Sequence, residues 1–423
     1  MGNQFFECTV LESVSLTSPP SPWRVLILLS LAELLAMSVW FSGTAVLPQL
    51  ARVWNTGLGV AAWLTLAVQL GFVTGALLSA IFNLADVFPA PRLVAISMVA
   101  AAAANAGFAL TAAGSVPSAI VLRFLTGLFL AGVYPPAMKI LAGWFRQGRG
   151  LALGILIGAL GIGSAIPHGL SALGTVTLDN WKYVVLACSA QAVLAAMIVT
   201  IFVHEGPFAA PLARFDIRQV TEILRNRRLA LANLGYFGHM WELYSWWAWI
   251  AVFLFASDSH SLSPLHTPET IEMVSFLAMA MGGLGCSWAG AYSDQASGDH
   301  ADARIWQRSK TTIIAMAVSG TCALLTALFF HNWYAVVVIA LFWGISISAD
   351  SAQFSAIVSE VSDPRYVGTA LTLQTALGFL LTVISIRVTA YIGAHAGWNW
   401  AAASLAVGPA LGIMAMLQLR LKS

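Results

Sequence analysis

Twelve predominantly apolar runs, each near the roughly 20 residues a helix needs to cross a bilayer, dominate the chain. They are 24–47, 60–82, 93–113, 118–141, 151–173, 183–203, 231–256, 270–291, 310–330, 334–358, 368–390 and 398–418. Inside a bilayer every backbone donor and acceptor must be satisfied internally, which leaves helices as the fold for runs of this kind. One segment interrupts the series at its centre. Residues 204–230 carry Arg214, Arg218, Arg225, Arg227 and Arg228, so they read as a polar joint between two sets of six spans. Val220, Ile223 and Leu224 share one side of a helical wheel there, which predicts a short helix lying on the membrane surface.

The expected architecture is an all-α membrane protein, with twelve transmembrane helices in two pseudo-symmetric six-helix bundles. Its parts are a tail at 1–23, a first bundle at 24–203, a linker at 204–230, a second bundle at 231–418 and a tail at 419–423. Composition agrees: 9% of residues are charged and mean hydropathy is +0.82, against roughly 25% charged in soluble domains. Such a chain cannot cover itself with a water-facing surface. Residues 1–22 lack a basic start followed by an apolar core, so the first run is expected to be an uncleaved span.

Lysine and arginine set the orientation. With both termini cytoplasmic, the inner segments hold Arg24, Arg92, Arg146, Arg149, the five joint arginines, Arg304, Arg308, Lys310, Arg365, Arg420 and Lys422. That is fifteen of the 20 basic residues, against Arg52 and Lys182 outside. Lys139, Arg123 and Arg387 fall within spans. The halves also repeat: Asp86 and Asp294, Glu33 and Glu242, Trp181 and Trp398 recur at nearly one offset, the trace of a duplicated six-helix unit.

These features resemble the major facilitator superfamily. Leu84-Ala85-Asp86 and Arg92 are similar to its Gly-x-Leu-Ala-Asp-Arg-x-Gly-Arg-Lys loop, with Phe82 in place of the glycine and Val87 in place of the first arginine. Gly290 and Asp294 form the second copy. Arg123, Gly127, Ala131-Gly132 and Pro135 match its fourth-helix pattern, and Gly143 to Gly150 its next loop. The resemblance implies a secondary transporter in the plasma (inner) membrane of a bacterium, with alternating access. Nitrate-carrier marks are absent, since neither the second nor the eighth run holds an arginine. The fifth run departs from the drug-antiporter signature at Ile166 and His168.

Ionisable groups inside spans usually face a cavity or a partner. Glu33 and Glu242 lie roughly 14 and 18 Å into a core about 30 Å thick. They are expected to face each other across a water-accessible pocket, where a carboxyl can take and release a proton as its exposure alternates. Glu242→Gln is then expected to abolish proton-driven accumulation. His239, Glu242, Trp246 and Trp249 follow helical spacing, and His239 could share a proton with Glu242. The indoles could stack on a flat or cationic cargo, or form an interfacial belt. Trp40 continues a stripe with Glu33 and Met37. Arg123 fits either an anion site or a structural salt bridge, whereas Lys139 should snorkel inward. Tyr134, Gln69, His168 and Gln374 are candidate polar lining. Asp86, Arg92, Asp294 and Asp350 belong to the expected gate, Asp86 and Asp294 by ion pairs or by facing a helix N-terminus, and Asp350 with Gln353 one turn on. Gly71/Gly75 and Gly154/Gly158 are packing positions.

Other classes find little support. None of the four lysines follows a glycine, so there is no phosphate-cradling loop. The scattered Cys8, Cys188, Cys286 and Cys322 indicate neither disulfides nor a zinc site. No cofactor, metal or nucleic-acid partner is expected, and no enzyme activity. The reading is a monomer whose partners are lipid, a small-molecule substrate and protons, moving a small organic molecule or anion inward. Proton-driven efflux and a non-transporting sensor are the alternatives.

Overall fold

The computed structural model describes residues 21–57, 62–82, 84–145, 147–173, 180–208, 220–257, 267–295, 301–363 and 367–420, and no strand occurs among them. The first half comprises α1 (Pro22–Ala45), α2 (Trp63–Ile81), α3 (Ala90–Thr111), α4 (Val116–Trp144), α5 (Arg149–Ala172) and α6 (Lys182–Phe202). The second comprises α7 (Arg227–Ser257), α8 (Pro268–Ser293), α9 (Ala301–Leu328), α10 (Trp333–Val361), α11 (Val367–His395) and α12 (Trp398–Leu419). Eleven of these are long and apolar enough to cross a membrane. The twelfth is α7, whose 31 residues include Asn233, His239 and Glu242, which lower its hydropathy.

Local chemistry sets several helix starts. Ser115, Thr267 and Asn332 each accept a hydrogen bond from the amide three residues on, satisfying a donor that the first turn would otherwise leave bare. Pro22, Pro117 and Pro268 occupy first-turn positions that need no amide hydrogen. Four spans are interrupted along their length: α4 at 131–133, α8 at Met281, α10 at Asp350 and α12 at Ala406. In α4 the cause is local, because Pro135 and Pro136 cannot donate to the preceding turn.

Within the first half α1 packs on α5 and α6, and α4 on α2 and α3. Within the second, α7 packs on α11 and α12, and α10 on α8 and α9. The halves meet along two seams, α5 with α8 and α2 with α11. Gly154 and Gly158 make the first seam close: a Cβ on Gly154 would strike the carbonyl of Cys286, and one on Gly158 would press on Gly283. Gly71 and Gly75 do the same for α2 against α4.

Two expectations need correction. The expected helix forms at Val220–Arg225, but Ile223 does not rest on lipid: it is buried in the protein core, and the helix packs on α11. Arg214 and Arg218 lie outside the described residues. Also, α9 begins well before its apolar run at 310–330, so Arg304 and Arg308 stand on the same helix as Lys310. Their charges keep these turns out of hydrocarbon without preventing helix. The face that carries the joint is called the joint face below, and the opposite one the far face.

Candidate functional site

Between the halves, a vestibule of about 420 Å³ reaches the joint face. Its walls come from the joint-side pieces of α4 and α10 and the adjoining ends of α2, α5, α9 and α11. Lys139, Arg149, Arg308 and Glu360 are its charged residues. Tyr134, Ser355 and Thr375 border both this space and a deeper chamber of about 50 Å³. Tyr236, His239, Leu243, Tyr244 and Trp247 of α7 line the chamber, with Gly161 of α5 and Phe379 of α11. Tyr134 and Ser351 each open the second piece of a broken span, so the interruptions of α4 and α10 deliver polar groups to the chamber wall. Helix breaks near mid-depth are tolerated where they line a cavity.

Rings from both halves close the chamber toward the far face. Phe72 and Phe379 have centroids 4.3 Å apart, and Trp40 lies 4.9 Å from Phe72, 5.8 Å from Tyr244 and 5.6 Å from Phe379. Phe41 meets Trp247 edge-on at 5.7 Å. Such pairs add to the apolar burial of the rings themselves. Trp40 is therefore part of a plug joining the halves.

His239 is the histidine on the chamber wall. Its Nδ1 lies 2.8 Å from Oδ1 of Asp350, and its Nε2 lies 3.1 Å from the Ser351 hydroxyl. Both His239 and Asp350 are almost fully buried. The aspartate sits in the break of α10, so the expected gate residue is brought against the expected coupling residue.

Glu33 and Glu242 do not face each other. Successive residues turn about 100° around a helix, and the chamber takes the side of α7 bearing Tyr236, His239, Leu243 and Trp247. Glu242 and Trp246 project from another side into the second bundle. Glu242 accepts from the Ser319 hydroxyl at 2.8 Å and from Trp343 Nε1 at 2.8 Å, and Trp246 packs on Trp343 at 5.5 Å. Trp249 donates to the Ile386 carbonyl at 3.1 Å, which places it in the bundle and not in an interfacial belt. Glu33 is fully buried in the first half, with both carboxyl oxygens lacking a hydrogen bond among the described residues. Neither acid is on the wall of the vestibule or the chamber.

Arg123 is likewise internal. Its Nη1 donates to the Val39 carbonyl at 2.9 Å, Asn105 Oδ1 at 2.9 Å and the Ser42 hydroxyl at 3.3 Å, and its Nη2 donates to the Trp40 carbonyl. The guanidinium fastens α4 to α1 and α3, leaving it turned away from the cavities. Gln69 and Gln374 are fully buried away from both walls. Arg387 lies over the Trp63 ring at 5.2 Å.

Polar contacts hold both ends of the α5–α8 seam. At the joint face Asp294 accepts from the amides of Gly150 and Leu151 at 3.0 and 2.9 Å, setting a carboxylate on the positive end of α5. Toward the far face His168 pairs with Glu272 at 2.6 Å. Asp86 stands in the short helix Leu84–Val87, and Arg92 is exposed in the first turn of α3. Glu205 of the joint accepts from the Ala90 amide at that same turn. Glu272, Asn105, Ser351 and Glu360 were not among the expected residues. Glu272 carried a signal, being an acid inside the eighth apolar run.

Among the described residues no group of three metal-ligating side chains comes together. Cys188, Cys286 and Cys322 are free, buried thiols.

A search of curated protein sequences finds no match. Among solved structures, the chain is similar to the proton:xylose symporter XylE, with a TM-score of 0.67 at 12% identity over 94% of each chain. It is also similar to the human organic anion transporter MFSD10 (TETRAN), with a TM-score of 0.62 at 15% identity over 94% of this chain and all 100% of the other. At those identities the likeness is one of fold. The Major Facilitator Superfamily model matches residues 29–301. With its twelve spans and a cavity between two six-helix halves, this multi-pass membrane protein belongs to the major facilitator superfamily of transporters.

Proposed function

We propose that the protein is a proton-coupled secondary transporter that takes up a small organic solute by rocking its halves about the central chamber. The joint face is the cytoplasmic one in this reading, since fifteen of the 20 basic residues fall there. Both termini are then cytoplasmic, and the membrane is the bacterial inner membrane.

The observation that carries the coupling is His239 on the chamber wall, with Asp350 at 2.8 Å behind it. A protonated imidazole compensates the buried aspartate. Loss of that proton leaves a carboxylate beside a neutral ring, which a low-dielectric site penalises. Proton occupancy is thereby tied to whichever side the chamber opens. The test is accumulation in proteoliposomes under an imposed pH gradient. His239→Gln and Asp350→Asn should each abolish uphill accumulation while leaving solute exchange intact. Undiminished accumulation in both variants removes the pair from the coupling, and accumulation only under the reversed gradient identifies an efflux antiporter.

A further inference from the structure

We infer that the cargo is an uncharged cyclic polyol of monosaccharide size, a deepening that rests on the transport reading above. The charges around the cavities are already engaged. On the chamber wall the His239 imidazole has Asp350 behind it at 2.8 Å, and among the described residues no carboxylate, lysine or arginine lines that space. In the vestibule Arg308 is held by Glu360 at 3.1 Å and Gln353 at 3.0 Å, Arg149 donates to the Ala142 carbonyl, and Lys139 has an interaction of its own. A cation or anion seated in the chamber would shed its water and gain no counter-charge.

Hydrogen-bonding capacity is what the chamber has in surplus. The phenols of Tyr134, Tyr236 and Tyr244 stand on its wall beside the hydroxyls of Ser348, Ser351, Ser355 and Thr375. Trp247 Nε1 and Ser348 Oγ are buried, and neither has a hydrogen-bond partner among the described residues. Native interiors rarely leave such atoms unpaired, so both point to a ligand that offers the indole an acceptor and the hydroxyl a partner. Hydroxyls donate and accept alike, and a solute bearing several of them matches a wall rich in the same group. The C–H faces of its ring are apolar enough to lie on Tyr244, Trp247 or Phe379. The chamber alone, about 50 Å³, has room for only a few waters. Tyr134, Ser355 and Thr375 border the vestibule as well, so a ring at the chamber mouth keeps its remainder in that larger space.

The test is isothermal titration calorimetry on purified full-length protein in nanodiscs. D-glucose and myo-inositol are the polyol probes; cyclohexanol has the ring with one hydroxyl, and glucuronate and glucosamine add a charge. The polyols should bind saturably, and the other three at least about tenfold more weakly. Trp247→Phe keeps an aromatic ring but removes the donor, and should weaken polyol binding about fivefold, the loss of one neutral hydrogen bond. Ser348→Ala should do the same. Deoxy analogues show whether the contact is direct: one of them should bind Trp247→Phe as well as its parent does, since the hydroxyl's partner is gone. If Trp247→Phe does not fold, Ser348→Ala is read in the same way. A panel in which nothing binds, charged derivatives that bind as tightly as the polyols, or two variants with unaltered affinity would overturn the inference. So would deoxy losses that add in full to those of both variants. No gradient enters this assay, so a failure of proton coupling is seen separately from a failure of polyol recognition.

Discussion

His168 of α5 and Glu272 of α8 approach to 2.6 Å, joining the two halves near the far face. His168 is 2% exposed and Glu272 17%, so water weakens the contact only in part. A hydrogen bond to a charged group contributes about 1.5–3 kcal/mol, which corresponds to roughly tenfold or more in a two-state ratio. Glu272→Ala is therefore expected to shift the population toward a far-side-open form. Spin labels at Leu173 and Thr267, at the far ends of α5 and α8, should report a longer distance in the variant. An unchanged distance distribution assigns the pair a passive role.

Glu242 leads to an outcome opposite to the one its sequence position suggested. Its oxygens accept from Ser319 and Trp343 inside the second bundle. Glutamine has nearly the same shape, can still accept from the indole and can donate to the hydroxyl. Glu242→Gln is expected to keep uphill accumulation and to lose about 1 kcal/mol of stability. Glu242→Ala loses both bonds and opens a cavity, at a cost of about 3 kcal/mol. Thermal unfolding measured beside transport separates the two variants. Abolished accumulation in a stable Glu242→Gln protein would restore the acid to the coupling mechanism.

The reason Glu242 misleads also shows what the sequence can convey. Hydropathy exposes the spans, because a bilayer imposes length and apolarity on each one separately. Gly71, Gly75, Gly154 and Gly158 are legible as packing sites, since close helix approach needs small residues at that spacing. The rotation of α7 about its own axis is not legible. His239 and Glu242 are one turn apart with polar or aromatic neighbours on both sides, and only the packing of α9 and α10 against one side decides which looks into the chamber. The break in α4 was written in Gly132, Pro135 and Pro136. That in α10, at Asp350, has no proline to announce it. Asn105 gave no signal as a partner of Arg123, because one polar residue in an apolar run does not reveal what it faces.

Arg123 supplies a prediction about stability. Its removal takes the guanidinium's hydrogen bonds from the Val39 and Trp40 carbonyls and from Asn105 Oδ1 in a dry interior, leaving the Ser42 hydroxyl as the side-chain donor to Val39 and Asn105. Arg123→Met is expected to destabilise the first half by about 3 kcal/mol or more. Lysine is a poor substitute, since a point charge cannot reproduce the planar fork. A double-mutant cycle with Asn105→Ala should yield a coupling energy of about 1 kcal/mol, read from thermal or denaturant midpoints. Additive losses would mean that the two side chains act independently, despite their 2.9 Å contact.

Asp294 tests the other end of the seam that His168 and Glu272 hold. Its carboxylate accepts from two amides at the start of α5, where the helix presents its positive end. Asp294→Ala removes a charge-assisted contact between the halves at the joint face, a loss of about 1 kcal/mol. The variant should favour a form more open at that face, the reverse of Glu272→Ala. A cysteine introduced at Leu153, on the vestibule wall, should react severalfold faster with a membrane-impermeant maleimide in Asp294→Ala and more slowly in Glu272→Ala. The pattern needs both signs. Two variants that change the rate in the same direction would mean that α5 and α8 do not pivot between two latches.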